Sequence, residues 1–237
     1  GFGALLDLAG TGGAQHISSS VGIGFFAGSN ISTGLYNTAI GHQALQTENT
    51  GDGNTAIGYK ALLTCDGADN NGNTAVGALA LTALYTGIGN TAVGYQAGDA
   101  LTSGQMNTVL GYGALGASVD GSYNSAFGFE SFKDFEGGSD AGENTGCGYK
   151  TGHFVSTGIN NTFVGSLSGY GLSGTPLTGS HNTAVGQHSG FLLQGGANSN
   201  TLIGYNAGDA VTTATENTCL GFEAGTEIIG GGYNTSL

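Results

Sequence analysis

The chain has 237 residues, a net charge of −13 and only three Lys or Arg residues. So few cations cannot form the basic stripe that binding to nucleic acid or to an anionic membrane requires, and both partner classes are excluded. No run of about 18 apolar residues occurs, so no transmembrane span is expected. The 49 glycines recur at fixed positions, which predicts repeated sharp turns.

Residues 1–19 carry no clear pattern and are predicted to form a cap segment that precedes the main domain. From residue 20 to residue 237 one motif recurs, typified by residues 54–62 (NTAIGYKAL), with spacings of 17 to 21 residues. The copies begin at Ser20, Asn37, Asn54, Asn73, Asn90, Asn107, Asn124, Asn144, Asn161, Asn182, Asn200, Asn217 and Asn234. A sustained period of this kind is typical of stacked repeats. The unit is too short for a helix pair and rich in Gly, Thr and Val, so the chain is predicted to be an all-β solenoid of about 12–13 coils.

Each position of the motif has its own character, counted from the first residue of a copy as offset 0. Offset 3 is apolar and is predicted to be the structural core, comprising Ile23, Ile40, Ile57, Val76, Val93, Leu110, Phe127, Cys147, Val164, Val185, Ile203 and Leu220. Offset 4 is always glycine, which predicts a bend or a positive φ at Gly24, Gly41, Gly58, Gly77, Gly94, Gly111, Gly128, Gly148, Gly165, Gly186, Gly204 and Gly221. With so few charges, solubility is expected to depend on exposed Asn, Thr, Ser and Gln.

Insertions lengthen four coils, after residues 62, 128, 166 and 186, and loops on a rigid scaffold often carry binding. The second and third insertions supply five candidate binding residues, namely Phe129, Phe132, Phe135, Glu136 and Tyr170. Two more candidates, Tyr95 and Tyr112, belong to a broken column of aromatic residues at offset 5. The column fits two interpretations: a surface on which sugars stack, or rings that cover the glycine turn of the next coil.

Catalytic motifs are absent from the sequence. It contains no G-x-S-x-G, no P-loop and no paired C-x-x-C, and its five histidines lack the spacing of metal ligands. No enzymatic activity, cofactor or metal is therefore expected. The carboxylates of the second insertion leave glycan hydrolysis as a remote alternative.

Each coil was expected to offer one large aliphatic side chain, at offset 3, for burial. Ordering 17 residues costs roughly 1–2 kcal/mol each in backbone entropy, whereas burying one aliphatic side chain returns only about 1.5–3 kcal/mol. A parallel homotrimer, with the chains intertwined or side by side, would bring offset 3 of three chains together at a shared axis. A thin monomeric solenoid remains the alternative.

The recurrent N-T-A-[IV]-G-Y-x-A core, as in residues 54–61 and 90–97, resembles the head repeats of YadA-like trimeric autotransporters and the glycine-rich repeats of bacteriophage tail fibres. The resemblance implies a trimer of left-handed β-rolls in which Ile40, Ile57, Val76 and Val93 face the trimer core. It also implies a rigid extracellular fibre, on a virion tail or a cell surface, that binds a host-surface receptor or glycan. Alternatives from other classes are an ice- or mineral-binding solenoid, a purely structural filament and a glycan depolymerase spike.

Overall fold

A computed structural model describes residues 19–48, 50–67, 70–137 and 142–237, and there the chain is a parallel β-solenoid of about 12 turns. Thirteen short strands form one sheet in sequential order. They are β1 (Val21–Ile23), β2 (Thr38–Ile40), β3 (Thr55–Ile57), β4 (Thr74–Val76), β5 (Thr91–Val93), β6 (Thr108–Leu110), β7 (Ser125–Phe127), β8 (Thr145–Cys147), β9 (Thr162–Val164), β10 (Thr183–Val185), β11 (Thr201–Ile203), β12 (Thr218–Leu220) and β13 (Thr235–Ser236). The described ranges contain no helix, and therefore no helix that is long and apolar enough to cross a membrane.

Each coil runs from the Asn before one strand to the Asn before the next, and equal offsets pair across the sheet. Ala56 of β3, for example, lies opposite Ala75 of β4 although their coils differ in length by two residues. The insertions are therefore absorbed outside the strands. The predicted cap, residues 1–19, lies outside the described residues apart from Ser19.

The turn glycines at offset 4 are confirmed, and both backbone conformation and space require them. Gly94 has a φ of +138°, and a Cβ there would lie 2.5 Å from the carbonyl oxygen of Gly111 in the next coil. Real Cβ atoms do not approach that closely, so any side chain would push successive coils apart. All twelve predicted turn glycines have a positive φ between +124° and +145°.

Offset 3, predicted to be the structural core, does not line the interior of the single-chain coil, and a core that it shares between three chains stays a prediction. Side chains at offset 2 point inward instead, and Ala39, Ala56, Ala75 and Ala92 are fully buried. Offset 3 lies on the outer face of the sheet, where its side chains are half-buried or exposed: Ile23, Ile40, Ile57, Val76, Val93, Leu110, Phe127, Cys147, Val164, Val185, Ile203 and Leu220. The reason is that side chains alternate along a strand, so burial of offsets 0 and 2 turns offsets 1 and 3 outward.

The large interior side chains come from the turns, at offsets 8 and 11. Leu45, Leu62 and Leu81 at offset 8, with Leu84 and Leu101 at offset 11, are completely buried. The expectation of one large aliphatic per coil was therefore an undercount, because it overlooked residues that a left-handed backbone conformation turns inward. Leu62, for example, has a φ of +49°.

Side-chain volume is balanced within several coils. A large residue at offset 2 faces a glycine at offset 8, as in the pairs Phe163 with Gly169 and Leu202 with Gly208, whereas Ala56 faces Leu62. A Cβ on Gly169 would lie 2.6 Å from the Phe163 ring, and one on Gly208 would lie 2.6 Å from Leu202. In these coils the large residue at one offset occupies the space that glycine leaves at the other.

A buried column of asparagines at offset 0 joins successive coils. The side-chain oxygen of Asn107 accepts hydrogen bonds from the backbone N–H of Asn124 (2.9 Å) and from its side-chain amide (3.1 Å). The Asn107 amide group donates to the oxygen of Asn90 (3.0 Å) and to the carbonyl of Gly121 (2.8 Å). The buried members are Asn37, Asn54, Asn73, Asn90, Asn107, Asn124, Asn144, Asn161, Asn182, Asn200 and Asn217. The expectation that asparagine solubilises the surface was therefore wrong at this offset.

Replacing Asn107 by alanine should destabilise the fold by about 3 kcal/mol or more, because it leaves the buried N–H of Asn124 and the carbonyl of Gly121 without their partners. Chemical denaturation measures the change. The neighbouring exposed substitution Thr108→Ala is the matched control and should cost less than about 1 kcal/mol. Equal losses of stability in the two variants would contradict a stabilising role for the asparagine column.

Candidate functional site

The outer sheet face, defined as the side chains at offsets 1 and 3 of β1–β12, is uncharged. Offset 1 is Thr or Ser in every strand from β2 to β12, and offset 3 is aliphatic or aromatic except at Cys147. Ile57 is 37% exposed and Leu110 is 48% exposed, so large apolar side chains project from a regular surface. On a chain with 16 carboxylates, an uncharged face of this length is a candidate contact surface.

Next to this face runs the ring ladder, the aromatic and His42 side chains at offset 5. Tyr95, Tyr112, Phe129 and Tyr149 form four consecutive rungs whose ring centroids are 5.2, 5.3 and 5.5 Å apart. Two further stacks are Phe25, His42 and Tyr59 at one end, and Tyr205 and Phe222 at the other. Ala78, Ser166 and Gln187 interrupt the ladder.

Stacking between neighbouring rings limits which parts of the predicted binding residues a ligand can contact. Tyr112 has a ring against each of its faces, so it presents only its edge and hydroxyl, although it is 48% exposed. A sugar needs a free ring face for stacking, and within the four-rung stack only the outermost faces of Tyr95 and Tyr149 are not covered by another rung. The rings therefore cover one another, an arrangement that neither sequence-based interpretation had described.

Phe132 and Phe135 were wrong as candidate binding residues, because both are completely buried. Phe132 occupies offset 8 with a φ of +50°, which turns its ring into the coil. A Cβ on Gly146 would lie 2.7 Å from that ring and one on Gly152 would lie 2.3 Å from it, so two glycines of the next coil make room for it. Phe135 packs edge-on against it with centroids 6.4 Å apart.

The remaining two candidates lie apart from the ring ladder. Tyr170 is half-buried and stacks between His153 (5.4 Å) and Phe191 (5.2 Å) at offset 9. Glu136 is exposed and lines a shallow depression that also contains Phe154 and Pro176. The predicted binding residues thus divide among the core, the ring ladder and this second stack, and they do not converge on one site.

An ion cluster that the sequence analysis did not predict contains two of the three lysines of the chain. Glu130 accepts from Lys133 (3.0 Å) and pairs with Lys150 (3.2 Å), and His153 Nδ1 lies 3.2 Å from the Glu130 carbonyl oxygen. Burial alone would raise the pKa of Glu130, but the two ammonium groups outweigh it and hold that pKa below its usual value. The sequence feature that could have predicted this cluster is the recurrence of polar residues at offsets 6 and 9 in consecutive coils.

Beside the ion cluster lies a notch of about 270 Å³. Its floor is Gly113, Gly116 and Ala117, in the coil of β6. Its walls are the side chains of Gln96, Asp99, Tyr112, Glu130, Lys133 and Asp134. No group of three His, Cys, Asp or Glu residues within the described ranges is arranged to hold a metal ion.

Comparisons with protein-family models, with curated proteins and with solved structures found no match to this chain. The repeat architecture and the surfaces described above are therefore the basis for a functional proposal.

His153 should make the fold sensitive to mild acid. Burial lowers the pKa of His153 below its ordinary value of 6.5, so the folded state favours the neutral ring and loses stability as the pH falls through 6.5 toward the lowered pKa. His153→Phe keeps a ring in the stack with Tyr170 and should flatten the melting temperature between about pH 7 and pH 5. Below the ordinary pKa of 4.5 for Glu130, both proteins should lose stability as its ion pairs are neutralised.

The matched control for this series is His181→Asn, at an exposed position where the preceding coil has Asn160. Thermal melts of the three proteins across the pH range compare them directly. A His153→Phe profile that parallels the parent profile would show that His153 does not cause the sensitivity.

Proposed function

We propose that this chain is a rigid segment of an extracellular fibre, on a virion tail or a cell surface, that serves receptor binding or adhesion and performs no catalysis. The observation that carries the proposal is an internally hydrogen-bonded solenoid with a long, regular and uncharged outer sheet face. The motif at residues 54–61 and its resemblance to tail-fibre and YadA-like head repeats support the same function. The partner on this proposal is a host-surface receptor or glycan.

Rigidity follows from the bonds that join each coil to the next. Besides the asparagine column, backbone bonds cross every junction, such as Thr91 N–H to Asn107 carbonyl (2.8 Å) and Gly94 N–H to Val76 carbonyl (2.8 Å). Bending the solenoid would break several hydrogen bonds at one level, including those of the buried asparagines, and would leave their polar groups unpaired. Thirteen strands at about 4.8 Å spacing give an element about 60 Å long.

The proposal includes self-association as a parallel homotrimer of left-handed β-rolls, with the outer sheet face turned toward two further copies of the chain. This face carries no Asp, Glu, Lys or Arg at offsets 1 and 3, so copies with a charge of −13 could approach without bringing carboxylates together. Rows of Thr and branched aliphatic side chains at equal spacing also match themselves in a second copy. Because large side chains from the turns fill the interior of one chain, the case for a trimer rests on the exposed apolar face and not on a sparse core.

The area of the face bears on such an interface. Three residues of strand are about 10 Å wide, so over about 60 Å the face offers roughly 600 Å² per chain before the ring ladder is included. In a trimer each chain divides this area between two partners, which leaves roughly 300 Å² for each contact. Standard stable interfaces bury about 800 Å² per partner, so the proposed trimer requires the surfaces beside the strands to take part as well.

Two aspartate substitutions in neighbouring positions of β3 test the trimer. Ile57→Asp puts a charge on the outer face and should give a folded monomer, because three carboxylates cannot meet at an apolar axis. Ala56→Asp buries a charge inside the coil and should abolish folding itself. Tyr95→Ala should leave both the fold and the oligomer largely intact.

Native mass spectrometry and far-UV circular dichroism provide the two readouts. A trimer of 23.3-kDa chains has a mass of about 70 kDa. A parent protein that is monomeric with its fold intact, or an Ile57→Asp variant that remains trimeric, would contradict the proposed interface.

A second candidate function, ice or mineral binding, is favoured by one feature of the same face. The Thr hydroxyls at offset 1 and the aliphatic side chains at offset 3 point outward together, in rows separated by about 4.8 Å. Because both rows lie on the surface of the single chain, they form a regular array that could order water or a crystal surface.

This second function predicts a monomer with its outer sheet face free. The parent protein would then show thermal hysteresis in freezing-point measurements, and the triple variant Thr74→Lys/Thr91→Lys/Thr108→Lys would lose it while keeping its melting temperature. The fibre function predicts no hysteresis from either protein. Hysteresis in the parent protein together with a monomeric mass would replace the first proposal by the second.

A further inference from the structure

The coil of β6 lacks side chains at the corner where its neighbours carry polar ones. Offsets 6 and 9 are Gln96 and Asp99 in the coil of β5, and Glu130 and Lys133 in the coil of β7, but they are Gly113 and Gly116 in the coil between. One missing pair in a column of side chains leaves a gap one coil high. That gap is the notch, and it arises from a break in the repeat rather than from an inserted loop.

Both polar walls of the notch are held in place by their own contacts. The Gln96 amide donates to an Asp99 carboxylate oxygen at 3.1 Å on one side. Lys133 donates to Glu130 at 3.0 Å on the other side, and Lys150 fixes Glu130 from behind at 3.2 Å. Side chains that are already ordered lose little conformational entropy when a ligand binds, so the walls are preorganised.

The third wall is Tyr112. Its faces are covered by Tyr95 and Phe129, so its position is fixed and only the edge of the ring faces outward. The notch therefore combines carboxylate and amide acceptors, ammonium and amide donors, and one immobile aromatic edge. Polar groups converging around a small apolar surface are the usual composition of a small-molecule site.

The charge and volume of the notch narrow the ligand class. Three carboxylates, those of Asp99, Glu130 and Asp134, outnumber the ammonium groups of Lys133 and of Lys150 behind Glu130, so the net negative charge disfavours an anionic ligand. A volume of about 270 Å³ lies just below the range of about 300–1,000 Å³ that is typical of ligand pockets, and it suits one ring rather than a chain. Hydroxyl groups both donate and accept, as this mixed lining requires.

We propose that the notch binds one neutral hexopyranose unit of a glycan, through Gln96, Asp99 and Lys133, with the sugar ring against the edge of Tyr112. The inference deepens the proposed function, because it names the ligand class and the site by which the fibre recognises a surface glycan. The solvent-open side of the notch leaves room for the rest of the glycan. In a trimer the site would occur three times, so weak single contacts would gain by multivalency.

The test uses the full chain and ligand-observed saturation-transfer NMR with the methyl glycosides of glucose, galactose and N-acetylglucosamine. Methyl glucuronide is the anionic comparison, and calcium chloride tests for a cation instead of a sugar. At least one neutral glycoside should bind with a dissociation constant of about 1–10 mM, as expected for a single shallow contact. Glucuronide should bind at least about tenfold more weakly.

The decisive variant fills the notch with a pair that the protein already uses. Gly113→Gln/Gly116→Gln reproduces Gln43 and Gln46, which occupy offsets 6 and 9 in the coil of β2 and are hydrogen-bonded at 2.8 Å. Gln43 and Gly113 share a φ of +57°, so the substitution suits the backbone. The Cβ at position 116 would lie 3.2 Å from the Gly113 carbonyl oxygen and 3.7 Å from Asp99, a tight but tolerable fit.

The matched control places the same two glutamines at the same offsets two coils away, as Leu79→Gln/Thr82→Gln. Neutral glycoside binding should fall at least about tenfold in the filled variant and stay unchanged in the control. Asp99→Asn preserves the shape of the wall and should weaken binding several-fold by replacing one charged acceptor with a neutral one. Melting temperatures verify that each variant is folded.

Three results would overturn the inference: no neutral glycoside bound by the parent, equal binding by the filled variant, or binding of calcium or glucuronide alone. These outcomes are separate from those that test the fibre itself. A trimer that binds no sugar would contradict the notch proposal only, whereas a monomer whose notch binds sugar would contradict the trimer only.

Discussion

The buried asparagine column is the constraint on which the rest of the structure depends. Each offset-0 side chain satisfies the backbone N–H of the next asparagine, as Asn90 does for Asn107 at 3.0 Å, and the Asn90 amide also donates to the carbonyl of Gly104 at 2.8 Å. Asparagine alone supplies an acceptor and a donor of the required size without a charge, so it fixes the height and the register of each coil together. Insertions are tolerated because these bonds hold the strand wherever the turns extend.

The interior that this column defines is narrow beside the strand and wider beneath the turns. Alanine therefore fills offset 2 in many coils, and leucine or phenylalanine enters from offset 11 and from offset 8, where left-handed backbone turns it inward. The apolar side chains at offset 3 of the strands project from the outer sheet face. A core that is complete within one chain leaves that face free for a partner, whether another copy of the chain or a surface.

The period, the parallel strands and the offset-4 turns could be predicted from the sequence, because glycine and period report directly on backbone geometry. Which face lies inside could not, because alternation separates offsets 1 and 3 from offsets 0 and 2 without saying which pair is buried. Hydropathy favoured Ile57 over Asn54, yet an asparagine whose polar atoms are all bonded can be buried at little cost. The recurring leucines at offsets 8 and 11, such as Leu62 and Leu84, were the sequence feature that indicated the buried positions, because a column of large apolar side chains gains stability by burial.

Recognition on a repeating wall requires a place where the repeat fails. Inserted loops are the obvious departures from the repeat. In the second insertion, however, Phe132 and Phe135 are buried in the core and do not extend outward. The complementary departure is a loss of side chains, as at Gly113 and Gly116, where the regular walls on either side remain as a preformed frame. A missing pair keeps the coil spacing and the neighbouring contacts intact, so specificity gained in this way would cost the solenoid little of its stiffness.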